Sequence, residues 1–70
     1  MRYAIVIEKA GANHSAYVPD LPGCVATGVT VAEAEQAIRE AIALHLSGLR
    51  EDGLPIPVPS SQVDYVDVAA

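Results

Sequence analysis

Residues 2–9 have a period of two that is typical of a β-strand with two unequal faces, and the mixed side consists of Arg2, Ala4, Val6 and Glu8. The apolar residues on one side of this segment are Tyr3, Ile5 and Ile7. Gly11 and Asn13 follow, and both residue types tolerate the positive φ that a chain reversal requires. The extended pattern resumes over Ser15 to Val18, so a hairpin is predicted.

The segment Pro19-Asp20-Leu21-Pro22-Gly23 interrupts the extended pattern twice. Each proline lacks an N–H and holds the preceding residue in an extended conformation. An ordered loop or an edge crossing is therefore predicted here. The apolar stretch from Cys24 to Gly28 then predicts a third strand beside the hairpin.

A helix is predicted to begin at Thr30, because Glu33 follows three residues later in the arrangement of a capping box. Apolar positions then recur with helical spacing on one side of the projection: Val31, Ala34, Ile38, Ala41, Ile42, His45 and Leu49. The pattern ends near Glu51 or Asp52. Gly53 supplies the usual left-handed residue after a helix, and Pro55 prevents continuation.

The proline-rich run from Pro55 to Pro59 favours polyproline-like extension and predicts a stiff connector back toward the sheet. Residues Gln62 to Val68 alternate again and predict a final strand. The predicted order is β-β-β-α-β, an α+β fold with an antiparallel-rich sheet and one helix on one face. With 70 residues, a single domain over residues 1–70 is expected.

Composition narrows the function classes. Apolar residues make up 51% of the chain and the net charge is −5, so the chain is expected to fold. Four Lys and Arg residues offer little attraction for phosphates, which argues against direct nucleic-acid binding by this chain alone. The single cysteine excludes an internal disulfide, and the N-terminus lacks a signal-peptide or membrane-spanning pattern. A cytoplasmic protein is predicted.

Few side chains carry the chemistry of an active site. His14 and His45 are the candidates for acid–base work, although His14 follows a turn and His45 lies on the apolar helix face, where a packed histidine is the simpler interpretation. Cys24 has no neighbouring cation to activate its thiol. No spacing enforces a metal site, and no phosphate-binding loop or serine elbow occurs. We expect no enzyme activity, no metal and no cofactor.

The predicted architecture favours binding instead. One helix covers only one face of a small sheet, so the other face is free to meet a partner. Tyr3, Tyr17 and Tyr65 all lie in predicted strands and suit an interface if they face outward, although Tyr3 fits equally well under the helix. The acidic residues of the helix are either an ordinary solvated face or an attraction for a basic partner.

Two stretches of the chain resemble the HicB antitoxin family. The first is Tyr17-Val18-Pro19-Asp20-Leu21-Pro22-Gly23-Cys24, followed by Thr27-Gly28-Val29-Thr30 and Glu33-Ala34. The second runs from His45 to Pro59 and includes the Gly53-Leu54-Pro55-Ile56-Pro57 exit from the helix. Together these segments extend the resemblance over nearly the whole chain.

The resemblance implies a β-β-β-α-β fold of the partial ribonuclease-H-like or double-stranded-RNA-binding-like type, without implying ribonuclease activity. It also implies that the chain binds and neutralises a HicA-type toxin, a small basic protein that cleaves messenger RNA. Family members commonly carry a C-terminal DNA-binding domain. Because the sequence ends at Ala70, that domain is expected to be absent.

The candidate partner contacts that the resemblance suggests are Tyr17, Asp20 and Leu21. Two alternatives to toxin neutralisation remain open at the level of sequence. One is an orphan, self-associating structural or regulatory protein, since a homo-oligomer would support so small a domain. The other is an enzyme, which requires His14 or His45 to line an open pocket beside a second polar group.

Overall fold

Three antiparallel strands and one long helix make up the regular structure of the computed structural model, which describes residues 1–69. The strands pair in the order β1-β2-β3. Their bounds are Val6–Ala10 for β1, Asn13–Tyr17 for β2 and Val25–Gly28 for β3, and the helix α1 spans Val31–Glu51. The predicted α+β class, the antiparallel sheet and the helix on one face are confirmed.

The predicted β1–β2 hairpin is confirmed, but it closes through a loop of only two residues, because Asn13 belongs to β2 and not to the predicted reversal. Ala10 pairs with Asn13, and Gly11 at the first loop position has φ +61°. A left-handed first loop residue followed by an ordinary one is the pattern of a type II′ turn, whose twist matches that of the strands. Pairing ends at Val6 opposite Tyr17 because β2 runs into Pro19 two residues later. The first strand is therefore shorter than residues 2–9.

The Pro-Asp-Leu-Pro-Gly segment forms an ordered crossover that contributes to the core. Its backbone closes on itself through three hydrogen bonds, including Leu21 N–H to the Val18 carbonyl at 3.1 Å and Cys24 N–H to the Leu21 carbonyl at 3.1 Å. Gly23 adopts φ +83°, which a side chain would strain. As a result Val18, Leu21 and Cys24 turn inward and are buried.

The helix begins and ends with the capping motifs that the sequence indicates. Thr30 Oγ1 accepts from the Glu33 N–H at 3.1 Å, while the Glu33 carboxylate accepts from the Thr30 N–H at 3.2 Å. At the other end Gly53, with φ +67°, donates to the Arg50 carbonyl, and Leu54 donates to the Leu49 carbonyl. This pair of bonds is a Schellman motif, which satisfies the final carbonyls.

The core lies between α1 and one face of the sheet. Its fully buried residues are Ala16, Val18, Leu21, Cys24, Ala34 and Ile38, and Ile7, Ala26 and Ile42 pack against them from the edges. Gly28 allows the close approach of strand and helix, since a Cβ built there would lie 2.4 Å from the Ala34 nitrogen. Although α1 has 21 residues, no helix in residues 1–69 is apolar enough to cross a membrane.

The predicted final strand, Gln62 to Val68, is wrong for this structure. Residues 54–69 form no regular secondary structure, and every side chain from Ser60 to Ala69 is exposed. The connector does return to the start of the chain, because the Tyr3 hydroxyl donates to the Pro57 carbonyl. Residues 62–69 make no backbone hydrogen bond to a neighbouring strand, and alternation alone does not make a strand without a partner. The observed order in the described chain is β-β-β-α.

Candidate protein-binding surface

The sheet face opposite α1 is uncovered and forms a small two-row surface. Ile7, Ala16 and Ala26 point toward α1, so their neighbours along each strand point away from it. The strand register aligns these neighbours in two rows across the sheet, Val6–Tyr17–Val25 and Glu8–Ser15–Thr27. We call these six residues the outer face. One row is apolar with a central tyrosine, and the other is polar.

Tyr17 is the predicted contact residue that the structure places on this surface. It lies in the middle strand, and 38% of its area is exposed, while Val25 beside it is 67% exposed. A tyrosine flanked by two valines offers both apolar area and a hydroxyl, the combination that is enriched at protein interfaces. Val6, at the other end of the row, is half-buried, so the exposed area of the row is centred on Tyr17 and Val25.

Asp20, the second predicted contact residue, holds the connector instead of pointing freely into solvent. Its Oδ2 accepts from the backbone N–H groups of Ser60 and Ser61, both at 2.9 Å. Its Oδ1 accepts from the hydroxyls of the same two serines, at 3.1 and 2.8 Å. The Ser61 amide, then the Ser60 amide and the serine hydroxyls, stabilise the charged form and lower the pKa of Asp20 from 3.8 to about 2. We call this arrangement the Asp20 clamp.

The clamp makes the docking of the connector sensitive to acid. Because the pKa of Asp20 is lower in the folded chain, its contribution is complete above about pH 4 and is lost as the pH falls through about 2. We expect the amide resonances of Ser60 and Ser61 to shift over that window in an NMR titration. Asp20→Asn is expected to speed exchange of both amides already at pH 7, since a neutral carboxamide oxygen accepts more weakly than a carboxylate and only one acceptor oxygen remains.

The matched control for the clamp is Asp67→Asn, which removes a carboxylate from the exposed end of the chain. It is expected to leave the Ser60 and Ser61 amides unchanged. Equal titration of these amides in the Asp20→Asn variant and the parent chain would contradict the assignment of the carboxylate as their acceptor.

Leu21, the third predicted contact residue, is a core residue and not a surface one. Its side chain is 0% exposed and lies in the cluster that includes Ile38 and Ala16. The reason is the closed crossover from Val18 to Cys24, which turns the leucine under α1. In this structure Leu21 supports the loop from below and presents no surface to a partner.

The histidines and the cysteine do not assemble into a reactive site. His14 Nδ1 lies 3.2 Å from the Val29 carbonyl oxygen, a contact that joins β2 to the start of the helix. Cys24 is buried, and desolvation raises the pKa of its thiol, which disfavours the reactive thiolate. Within residues 1–69 no three metal-ligating side chains come together, and neither of two surface clefts is lined by a histidine.

The acidic side chains of the helix divide into two groups. Glu33 is engaged in the N-terminal cap, where it also accepts from the Val29 N–H at 2.9 Å, and Glu35 pairs with Arg39 at 2.9 Å. Glu51 and Asp52 are exposed at the C-terminal end. Part of the negative charge therefore has a local structural use, and the remainder contributes to the field around the chain.

A sequence profile of the HicB-like antitoxin of bacterial toxin–antitoxin systems matches residues 3–69 of the chain. The chain belongs to the HicB-like antitoxin family. The match includes the crossover, the capped helix and the connector, so the segments that carried the resemblance in the sequence are the ones that shape the fold.

Two individual proteins are similar to the chain in sequence. A 14.9 kDa protein from the rep-hol intergenic region of Haemophilus phage HP1 is 37% identical over 67 residues, covering 96% of this chain and 50% of the phage protein. A UPF0150 protein of Helicobacter pylori is 47% identical over 49 residues, covering 70% of this chain and 68% of its own length. The chain thus spans half the length of the phage relative.

A solved structure shares the fold as well. A chain of a HicA3 and HicB3 toxin–antitoxin complex superimposes with a TM-score of 0.74 at 35% identity, covering 86% of this chain and 70% of the other. At this identity the likeness extends beyond the bare topology. The fold is therefore shared with a chain of a toxin–antitoxin complex.

Two features of the HicB-like site escape prediction from sequence. The serines of the clamp lie 40 and 41 positions beyond Asp20, and nothing local to either segment indicates the pairing. Val6 and Val25 join Tyr17 only through the strand register. The alternation within each strand indicates which of its residues share a face. The row across the three strands follows from this alternation only when the pairing of the strands is also known.

Proposed function

We propose that this HicB-like chain binds and neutralises a small basic HicA-type toxin, an enzyme that cleaves messenger RNA, by covering its RNA-binding surface. The observation that carries the proposal is the uncovered outer face with Tyr17 at its centre, on a fold shared with a chain of the HicA3 and HicB3 complex. The chain acts by occlusion in this proposal, so it needs no cofactor, catalyses no reaction and does not itself bind nucleic acid.

Electrostatics support a basic partner. The net charge of −5 creates a field that accelerates encounter with a cationic protein and disfavours association with RNA. On the outer face itself the charged residue is Glu8, beside the apolar row. A contact of this kind would combine a desolvated apolar centre with acidic steering from the periphery, which is the usual anatomy of a specific interface.

The test is co-purification with the product of the adjacent reading frame, followed by an RNA-cleavage assay with and without the chain. We expect a stable complex in which cleavage is suppressed. Tyr17→Ala is expected to raise the Kd of that complex about tenfold or more, because central aromatic residues carry much of the binding energy of an interface. Leu44→Ser, on the exposed side of α1, is the matched control and is expected to bind like the parent.

The outcomes separate the parts of the proposal. If Tyr17→Ala leaves the Kd of the complex unchanged, the toxin is still the partner, but it binds a surface other than the outer face. A failure of the adjacent protein to bind, with cleavage proceeding at the same rate in the presence of the chain, would contradict toxin neutralisation. The orphan, self-associating alternative draws on a different observation, the exposed apolar segment at the end of the chain.

A further inference from the structure

Residues 62–68, which we call the tail, are strand-like in sequence and unpaired in structure. Val63, Tyr65, Val66 and Val68 are 51–90% exposed, and among residues 1–69 the only hydrogen bond of the tail backbone is from the Tyr65 N–H to the neighbouring Asp64 carboxylate. The radius of gyration is 13.7 Å, against about 11 Å for a compact chain of this length. The tail therefore extends from the domain with its apolar side chains in water, which is unfavourable unless another surface covers them.

The first strand offers a free edge that fits such a segment. In the strand order β1-β2-β3, the outer backbone edge of β1 has no neighbour within the described chain. Residues Arg2 to Ile5 continue β1 toward the N-terminus beyond the end of its pairing with β2. Together they present a row of nine residues, which is long enough to pair with the seven-residue tail, since seven residues of an added strand span about 23 Å.

The chain's own connector lies across a cleft from this edge. The cleft has a volume of about 440 Å³ and is lined by Arg2, Tyr3 and Ala4 on one side and by residues 59–63 on the other. The Tyr3–Pro57 hydrogen bond and the Asp20 clamp fix the chain at residues 57–61. In the described residues no backbone hydrogen bond joins the two walls. The clamp thus holds the beginning of the tail away from its own β1 edge.

Charge favours the pairing of this edge with a tail. Arg2 and Lys9 stand at the two ends of the β1 segment, and they are two of the four Lys and Arg residues of the chain. The tail carries Asp64 and Asp67 and has no cation. With Glu8 included, the β1 segment still carries one net positive charge, so an acidic tail placed along it meets a net attraction.

We propose that the tail of one copy adds as a strand along the β1 edge of a second copy, and that the second tail does the same in return. The exchange is isologous, because each copy supplies one edge and one tail, and it closes as a dimer because both β1 edges and both tails are then occupied. The ladder satisfies the free backbone groups of β1, and the tail valines and Tyr65 are covered beside the sheet. This inference is independent of toxin binding.

The test is sedimentation equilibrium of the full chain over a range of concentrations, combined with hydrogen exchange. We expect a reversible dimer with slowed amide exchange in residues 2–5 and 63–68. Tyr65→Pro is expected to raise the dimer Kd about tenfold or more, since proline removes a ladder donor and disturbs pairing on both sides. Because Tyr65 is 90% exposed, this change leaves the monomer fold intact, which circular dichroism checks.

Leu44→Ser is again the control, as it removes an exposed apolar side chain from the helix and not from the tail. It is expected to dimerise like the parent. A chain that stays monomeric at all concentrations would overturn the proposal, whether its tail is unprotected or folded onto its own β1. A dimer with the same Kd in the Tyr65→Pro variant would also overturn it, by placing the contact on another surface. None of these outcomes bears on toxin neutralisation.

Discussion

Gly28→Ala is expected to destabilise the domain by about 3 kcal/mol or more, which is a large part of the total stability of a chain of this size. A Cβ at this position would lie 2.4 Å from the Ala34 nitrogen, 2.7 Å from the Glu33 carbonyl carbon and 2.9 Å from the Ala34 Cα. All three are backbone atoms of the first turn of α1, so no side-chain rotation relieves the clash. The helix would have to move away from β3.

That movement would disturb more than one contact. Ala34 is itself 0% exposed and packs in the same cluster as Ile38, so displacement of the first turn opens the core at its narrowest point. The capping box between Thr30 and Glu33 lies directly beside the clash and orients the same turn. Urea unfolding followed by circular dichroism measures the expected loss as a lower midpoint with an unchanged slope.

Gly48→Ala provides the matched control for this prediction. Gly48 lies within α1, and a Cβ built there would meet nothing within 4 Å. Alanine is favoured over glycine in a helix interior, so the control is expected to gain about 0.5–1 kcal/mol. If the two glycine-to-alanine changes shift the free energy of unfolding in opposite directions, the close approach of α1 at Gly28 is the cause of the destabilisation there. An unfolding midpoint for Gly28→Ala equal to that of the parent would refute it.

The parts of this fold that are predictable from sequence are those determined by near neighbours. Thr30 and Glu33 mark the helix start because their side chains satisfy backbone groups three residues away, and Gly53 marks its end for the same local reason. The Gly11 turn follows from one residue's freedom to adopt positive φ. In each case the energetics are contained within a single turn of chain.

The features that escape prediction depend on distant segments. A strand needs a neighbour, and residues 62–68 have the composition of a strand, while the Asp20 clamp fixes the preceding Ser60 and Ser61 across a cleft from the β1 edge. In the sequence Gly28 is indistinguishable from any glycine at the end of a strand. Only the packing of α1 over Gly28 in the structure shows why a side chain is excluded there. Long-range pairing of this kind leaves no periodic signal in either segment.

The interior position of Leu21 leads to the second large effect, because Leu21→Ala is expected to destabilise the domain by about 2–5 kcal/mol. The leucine is fully buried, and its backbone N–H and carbonyl close the crossover that also buries Val18 and Cys24. Truncation of the side chain leaves a cavity under α1. The neighbouring side chains cannot move in to fill this cavity without opening the crossover. Leu21→Met, which conserves volume, is expected to cost less than about 1.5 kcal/mol.

The same substitution distinguishes a supporting residue from a contact residue. If Leu21 acts only from below, Leu21→Ala lowers the melting temperature while the folded fraction keeps the partner affinity of the parent, whereas Tyr17→Ala lowers the partner affinity of the folded fraction itself. Leu44→Ala, at a helix position 76% exposed, controls for the loss of a leucine side chain and is expected to change stability by no more than about 0.5 kcal/mol. Affinity measured well below the melting temperature of each variant, with the folded fraction known from circular dichroism, separates the two roles. The opposite result would be a Leu21→Ala chain that has the parent's melting temperature but no longer binds the partner. That result would show that Leu21 is a contact residue and would contradict its place in the core.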